Sequence, residues 1–431
     1  IGKCSGATSK ESLDEKQRYF EKYFSYITGV GKLLELNGDK HYYHSNNNIK
    51  VNLANVIYYT VSNGGNIVTN QFINHWLSAE DRLTYTSVEL RPPPLKTADN
   101  VLNQWIGWDI ESRVELDETA DYSPVLELFD ITCGRCADSV EYLLNWFAHK
   151  VQYPGSKTMV CVVLYSSQEG TGKTTIAEDI FKSFMGESHS SLLLSTTSMD
   201  NVVGKFSTAG EKLITVINEA NLSDFIGKSD QFKSHITDNT FFREIKGQQG
   251  DCVANINDVI VTSNNENCCK VGQHDRRYQI MEADASVAND REVFSPIIKA
   301  IKNDTIMRNF FQFLKDRDIT DFNPSQDRVK NQVYKNFQAS SLSMVQLFFC
   351  DVISEYEDST MWISTGELYS LYSEYCMANN KGNNRITQNK FGRNIKKEVK
   401  GVEPKRTTDN KRGYDIDIES IKLWATDIRG E

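Results

Sequence analysis

The order of apolar and polar positions divides the chain before any motif is considered. After Asp138, SVEYLLNWFAHKVQ carries apolar residues at helical spacing and stops short of Pro154, which predicts an amphipathic helix. TMVCVVLY, 158–165, is apolar throughout and rich in β-branched side chains, the pattern of a strand buried on both faces. Helical periodicity returns in TTIAEDIFKSFM, 174–185, and KLITVIN, 212–218, and DVIVTSN, 258–264, read as two more buried strands. Helices between such strands predict a parallel sheet in an α/β unit.

The flanking regions read differently. Before residue 136, short helical and strand-like patterns are broken by HSNNNIKVN, SNGGN and RPPPL, and the region is expected to be mixed but mainly helical. The acidic stretch DIESRVELDETAD, 109–121, reads as a connector. Beyond residue 300 the pattern is mainly helical. From 341 a compact unit begins: LSMVQLFFCDVISEY as an amphipathic helix, then S-T-G-E at 364–367 as a capping box opening ELYSLYSEYCM. Thr387 caps a third helix, with Ile386 and Phe391 as a hydrophobic staple, and the strand-like runs GVEPKRT and RGYDIDI follow. The expected division is 1–136, a mixed, mainly helical N-terminal region; 137–300, the α/β core; 301–340, a helical connector; and 341–431, a winged-helix-like α+β unit.

Length agrees with this division, since 431 residues exceed what one core organises. No run approaches the roughly 18 apolar residues of a membrane span, so no membrane partner is expected. No apolar leader opens the chain, and nine scattered cysteines form no disulfide pattern, which points to a soluble protein of a reducing, intracellular compartment. A start at Ile1 instead of methionine points to a piece of a longer protein. The net charge of −10 does not advertise nucleic acid, yet it hides a local reversal. Between Lys390 and Arg412, nine Lys and Arg face three acids. With Phe391 and Ile395 turned inward, Lys390, Arg393, Lys396, Lys397 and Lys400 fall on the solvent side of the helix as candidate phosphate contacts. A solvated face or an acidic protein partner is the other reading of that strip.

The chemistry lies in SSQEGTGKTT, 166–175, which follows one buried strand and opens a helix, the context of a phosphate-binding loop. Such a loop needs glycine where backbone N–H groups converge on phosphate oxygens, and Gly170 and Gly172 supply it. Ser167 stands where the motif usually opens with glycine, at a position a small residue can fill. The nucleotide-binding set is Ser167, Gln168, Glu169, Gly170, Thr171, Gly172, Lys173, Thr174 and Thr175, with Lys173 reaching the β and γ phosphates of ATP and Thr174 offering a hydroxyl to Mg²⁺. In LITVINEA the polar pair Asn218 and Glu219 closes the apolar run. Glu219 is the candidate base for an attacking water, or else a helix N-terminal acid. Asn218 takes the place of the usual metal-shell carboxylate and is a weaker, neutral Mg²⁺ ligand. Asn264 closes VIVTSN, as a γ-phosphate sensor or a turn residue, and DRRYQI supplies Arg277, as a finger acting on the neighbouring subunit or a surface ion-pair residue.

Lys173, Glu219, Asn264 and Arg277 lie 46, 45 and 13 residues apart. This order resembles the superfamily 3 helicases, ring-forming AAA+ motors, and RPPPLKTADNVLNQWIGWD and CGRCADSVEYLLNWFAHKVQYPGSK resemble the poxvirus-type and phage primase-helicases. The likeness spans roughly residues 85–285. It implies a six-membered homo-oligomeric ring around single-stranded DNA, unwinding of forked duplex, and a primase-polymerase domain on the same polypeptide of a virus or phage. It also implies a channel hairpin, for which FFREIKGQQGDCVAN, 241–255, with Lys246 at its tip, is the candidate; an ordinary solvated hairpin lysine is the other reading. Two further functions stay open: an ATPase that loads or scaffolds a primase without unwinding, and a small-molecule nucleotide kinase, for which no arginine-rich lid is found. Cys133 with Cys136 and the Cys268-Cys269 pair lack the four spaced ligands of a zinc site. HYYH, 41–44, and Trp105, Trp108 and Trp146 fit packing, and His235 fits a structural hydrogen bond.

Overall fold

The computed structural model describes residues 10–37, 40–186, 189–225, 227–244, 250–266, 268–272, 275–379 and 385–429. Its centre is a parallel sheet of five strands: β1 (Cys161–Tyr165), β2 (Leu193–Thr196), β3 (Ile214–Ile217), β4 (Asp258–Ser263) and β5 (Tyr278–Glu282), in the order β2-β3-β4-β1-β5. The three buried runs of the sequence are β1, β3 and β4. They are apolar at consecutive positions because alternate side chains enter two different cores. Val162, Leu164, Ile214, Val216, Ile260 and Met281 face one core, and Val163, Tyr165, Ile217, Val259, Val261 and Ile280 face the other. The first core is closed by the helices Ser123–Thr132, Ala137–Gln152, Ile180–Met185, Arg291–Ile301 and Asp304–Asp316, with Phe147 stacked on Phe181 at 4.7 Å between centroids. Removing either ring would cost about 3–5 kcal/mol.

Two expectations change at the borders of this core. Residues 109–121 are more than a connector: Ile110 is fully buried in the first core, and Arg113 joins Asp109 to Asp304. Residues 301–340 likewise belong to the α/β unit, since Phe310, Phe311 and Leu314 complete the first core and Val333, Tyr334 and Phe337 the second.

The N-terminal region departs from the mainly helical expectation. Helices Lys10–Phe20, Asn46–Asn52 and Phe72–Ser78 pack with a four-stranded sheet, in the order Lys40–His44, Lys32–Asn37, Phe24–Ile27, Thr84–Tyr85. Ile57–Val61 and Ile67–Gln71 form a separate antiparallel hairpin. Strands of two to six residues give periodicity too little length to register. Tyr42 and Tyr43 are 45% and 47% exposed, so these two rings do not pack inward, whereas Trp108 and Trp146 are buried and Trp105 stacks on His189.

The C-terminal unit has its own core, with Tyr372 stacked on Phe391 at 4.4 Å. Its antiparallel sheet runs Thr360–Ser364, Arg412–Asp417, Val402–Arg406; the first of these strands and the closing helix Ile418–Arg429 had no counterpart in the sequence reading. The Ser364–Glu367 capping box forms, but Thr387 makes no side-chain cap bond at its N-cap position. Among the described residues, no helix is long and apolar enough to cross a membrane and no cluster of His, Cys, Asp or Glu is arranged to hold a metal.

Candidate nucleotide site

The loop after β1 folds as glycine permits and other residues do not. Gly170 and Gly172 have φ of +77° and +81°. A Cβ on Gly170 would fall 2.1 Å from Asn289 Oδ1, and one on Gly172 would fall 2.5 Å from Leu128 Cδ1. The loop is held from outside by Asn289, whose backbone N–H donates to the Gly170 carbonyl at 3.1 Å and whose Nδ2 donates to the Glu169 carbonyl at 3.2 Å. Inside it, Lys173 is 8% exposed and donates from Nζ to the Gln168 carbonyl at 3.1 Å and Thr171 Oγ1 at 3.2 Å. Burial lowers the Lys173 pKa, and Glu169 opposes it. These are weak neutral partners for an ammonium, and a phosphate exchanges favourably for them. Ser167, Gln168, Glu169 and Thr174 are exposed, Thr171 is buried and Thr175 is half-buried. The loop therefore fits a polyphosphate, and the open Thr174 hydroxyl fits the role of Mg²⁺ contact.

The parallel sheet brings the other candidates to this end. β4 lies between β1 and β3, so Asn264 leaves the sheet beside the loop, while Asn218 and Glu219 leave it one strand further on. Asn264 Oδ1 is buried with no hydrogen-bond partner, an unpaid desolvation cost of about 1–3 kcal/mol. Glu219 is exposed and left-handed at φ +55°, with the Asn221 side chain donating to its carbonyl at 3.0 Å. Among the described residues it shares this backbone with Arg135, Met159, Asn289 and Asn410, and of the five it alone leaves a strand at the loop's end of the sheet. Asn218 is committed elsewhere: its Nδ2 donates to Glu178 Oε1 at 2.6 Å and Ser195 Oγ at 3.0 Å, and its Oδ1 accepts from Thr262 Oγ1 at 3.0 Å. Its oxygen keeps one lone pair for a metal.

Residues 164–277 match the model of a family of unknown function, DUF5906. That segment contains the loop, both strand-end sites and Arg277. No curated protein matches the sequence. The fold is similar to that of the NrS-1 C-terminal region in its apo form, with a TM-score of 0.65 at 16% identity over 95% of this chain and 99% of that one. An A-form structure of the same region gives 0.63 at 16% identity, over 93% and 97%. A structure of JCV helicase with a bound small molecule gives 0.28 at 10% identity over 53% and 64%, a likeness too weak to carry an argument. The first two show a shared fold.

Arg277 is not brought to the loop. Its carbonyl accepts from the Cys161 N–H at 2.7 Å, so it sits at the start of β1 while the loop begins at its end, about 13 Å away along the strand. Its guanidinium lies 3.9 Å from Asp275, and its Nε is buried without a partner. Lys390, Arg393 and Lys397 stand apart in the C-terminal unit, exposed on the Gln388–Glu398 helix above buried Phe391 and Ile395. Lys246 lies outside the described residues. Sequence reading missed Glu178 and Asn289. Asn289 precedes a helix capped by Asp290, so it reads as ordinary capping sequence; Glu178 reads as one more acid on a helix.

Proposed function

We propose that the chain is an ATP-hydrolysing DNA motor of the superfamily 3 AAA+ kind, which assembles into a ring, six-membered by resemblance, and unwinds forked duplex while moving on single-stranded DNA. The observation that carries this reading is the separation of the chemistry into two incomplete parts. One end of the sheet supplies a glycine cradle, a buried lysine, a strained glutamate and an unpartnered asparagine oxygen; the opposite end holds an underused arginine that its own loop cannot reach. Such parts become a hydrolytic site when the arginine of one subunit meets the loop of the next, where it neutralises charge on the transferred phosphoryl. ATP sits on residues 167–175, with Mg²⁺ at Thr174 and Asn218 in its outer surroundings; Glu219 orients water and Asn264 senses the γ-phosphate. The C-terminal unit is a winged-helix-like module whose Lys390, Arg393 and Lys397 contact DNA phosphates, and the N-terminal region serves assembly.

The test combines ATP turnover, with and without single-stranded DNA, with strand displacement from a forked duplex. DNA-stimulated turnover with ATP-dependent displacement is expected. Turnover without displacement would favour the loading ATPase, and no turnover would overturn the reading.

A further inference from the structure

Beside the phosphate loop, where other nucleotide-binding proteins of this kind hold Mg²⁺ with a strand-end aspartate, this chain has the amide of Asn218. A carboxylate reaches the same place from another element. Glu178 stands one helical turn beyond Thr174, in the wide turn Thr175–Asp179, and is 6% exposed. Its Oε1 accepts from Asn218 Nδ2 and from Ser195 Oγ, each at 2.6 Å, and its Oε2 accepts from Lys182 Nζ at 2.5 Å. Lys182, itself half-exposed, pairs with Oε2 as an ion pair, while Oε1 is turned inward onto Asn218 and Ser195. With Asn218 Oδ1 accepting from Thr262, the network ties the loop helix to β2, β3 and β4.

A purely structural tie at this point could be neutral and avoid burying a charge. A charge here does something an amide does not: a carboxylate that accepts from an amide N–H polarises it and makes the amide oxygen a better acceptor for a cation or its bound water. We propose that Glu178 is a positioning residue that supplies, through Asn218, the negative charge that an aspartate at the end of β3 would give the Mg²⁺ surroundings, its partner Lys182 being half-exposed and screened by solvent. The inference rests on the nucleotide reading above.

The test is equilibrium binding of a fluorescent ATP analogue to the full chain, in Mg²⁺ and in EDTA. Glu178→Gln keeps the shape and removes the charge. It should bind within twofold of wild type in EDTA, yet lose about tenfold of the Mg²⁺-dependent gain in affinity. Asn218→Asp alone sets two carboxylates against each other and should also lose the gain. Combined, Glu178→Gln and Asn218→Asp move the charge to the strand end and should recover the gain to within about threefold of wild type. An unchanged gain in Glu178→Gln, an equal loss in EDTA, or a double variant as weak as Glu178→Gln would overturn the proposal. Wild type that binds in neither buffer overturns the nucleotide reading with it; wild type that binds while Glu178→Gln is unaffected overturns this inference alone.

Discussion

The two ends of the five-stranded sheet are both polar, and they are polar in different ways. At the start of the strands, Lys150 is fully buried, lies 3.0 Å from Asp258 and donates to the Ile256 carbonyl at 2.8 Å. Asp258 Oδ1 accepts from the N–H and hydroxyl of Thr158, and His235 Nε2 pairs with Asn257 Oδ1 at 2.9 Å. That end pairs its buried charges, Lys150 with Asp258, and leaves, Arg277 apart, only neutral His149 Nδ1 and the ion-paired Asp258 Oδ2 as buried side-chain atoms without a hydrogen bond among the described residues there. At the far end, Asn264 Oδ1 has no partner, Lys173 rests on its own loop and Glu219 is strained. A paired network stabilises a fold, whereas groups left short of partners mark where a ligand completes the structure. Arg277 lies at the paired end but has the character of the other, and this sets it apart.

Substitutions sharpen the contrast. The largest expected effect is Lys173→Ala, which should lower ATP turnover by a factor on the order of 10³ while leaving the melting temperature nearly unchanged. Lys150→Ala should do the reverse: leaving Asp258 buried and unpaired costs about 3–5 kcal/mol in denaturant unfolding, with turnover per folded molecule retained. Asn264→Ala should lower turnover by about 10²-fold without destabilising the fold, since the oxygen removed is unsatisfied. A clear stability loss there would show that the two ends are alike.

The smallest effect is in pH. Burial pushes the pKa of His235 down to about 4 against the opposing pull of its bond to Asn257, whereas unfolded histidine titrates near ~6.5. Below ~6.5 the unfolded chain takes up a proton that the fold refuses, so stability is full above that pH and is lost progressively as pH falls toward 4. Urea midpoints of wild type and His235→Gln should therefore diverge in slope across that window and run parallel above it.

The sequence made the sheet and its loop legible because β1, β3 and β4 are buried on both faces, and glycine and lysine leave a spaced signature where φ turns positive. It left the N-terminal strands obscure because they are short and half-exposed. The candidates Lys173, Thr174, Glu219 and Asn264 could be named from the sequence because they terminate or follow recognisable runs. Glu178 and Asn289 were not, since their importance comes from contacts 40 and 120 residues distant in sequence. Asn218 reads from sequence as a weak, neutral ligand, and the bond of its amide to Glu178 is visible only in the fold.

In the proposed ring, the arginine at one end of the sheet completes the loop at the other end in a neighbouring subunit. The direct measurement is ATP turnover as Arg277→Ala protein is mixed into wild type at fixed total concentration, after nucleotide binding by the variant is shown to be intact. Turnover should fall more steeply than the wild-type fraction, because each variant subunit disables a neighbour. A rate that follows that fraction in a straight line would mean that every chain hydrolyses alone.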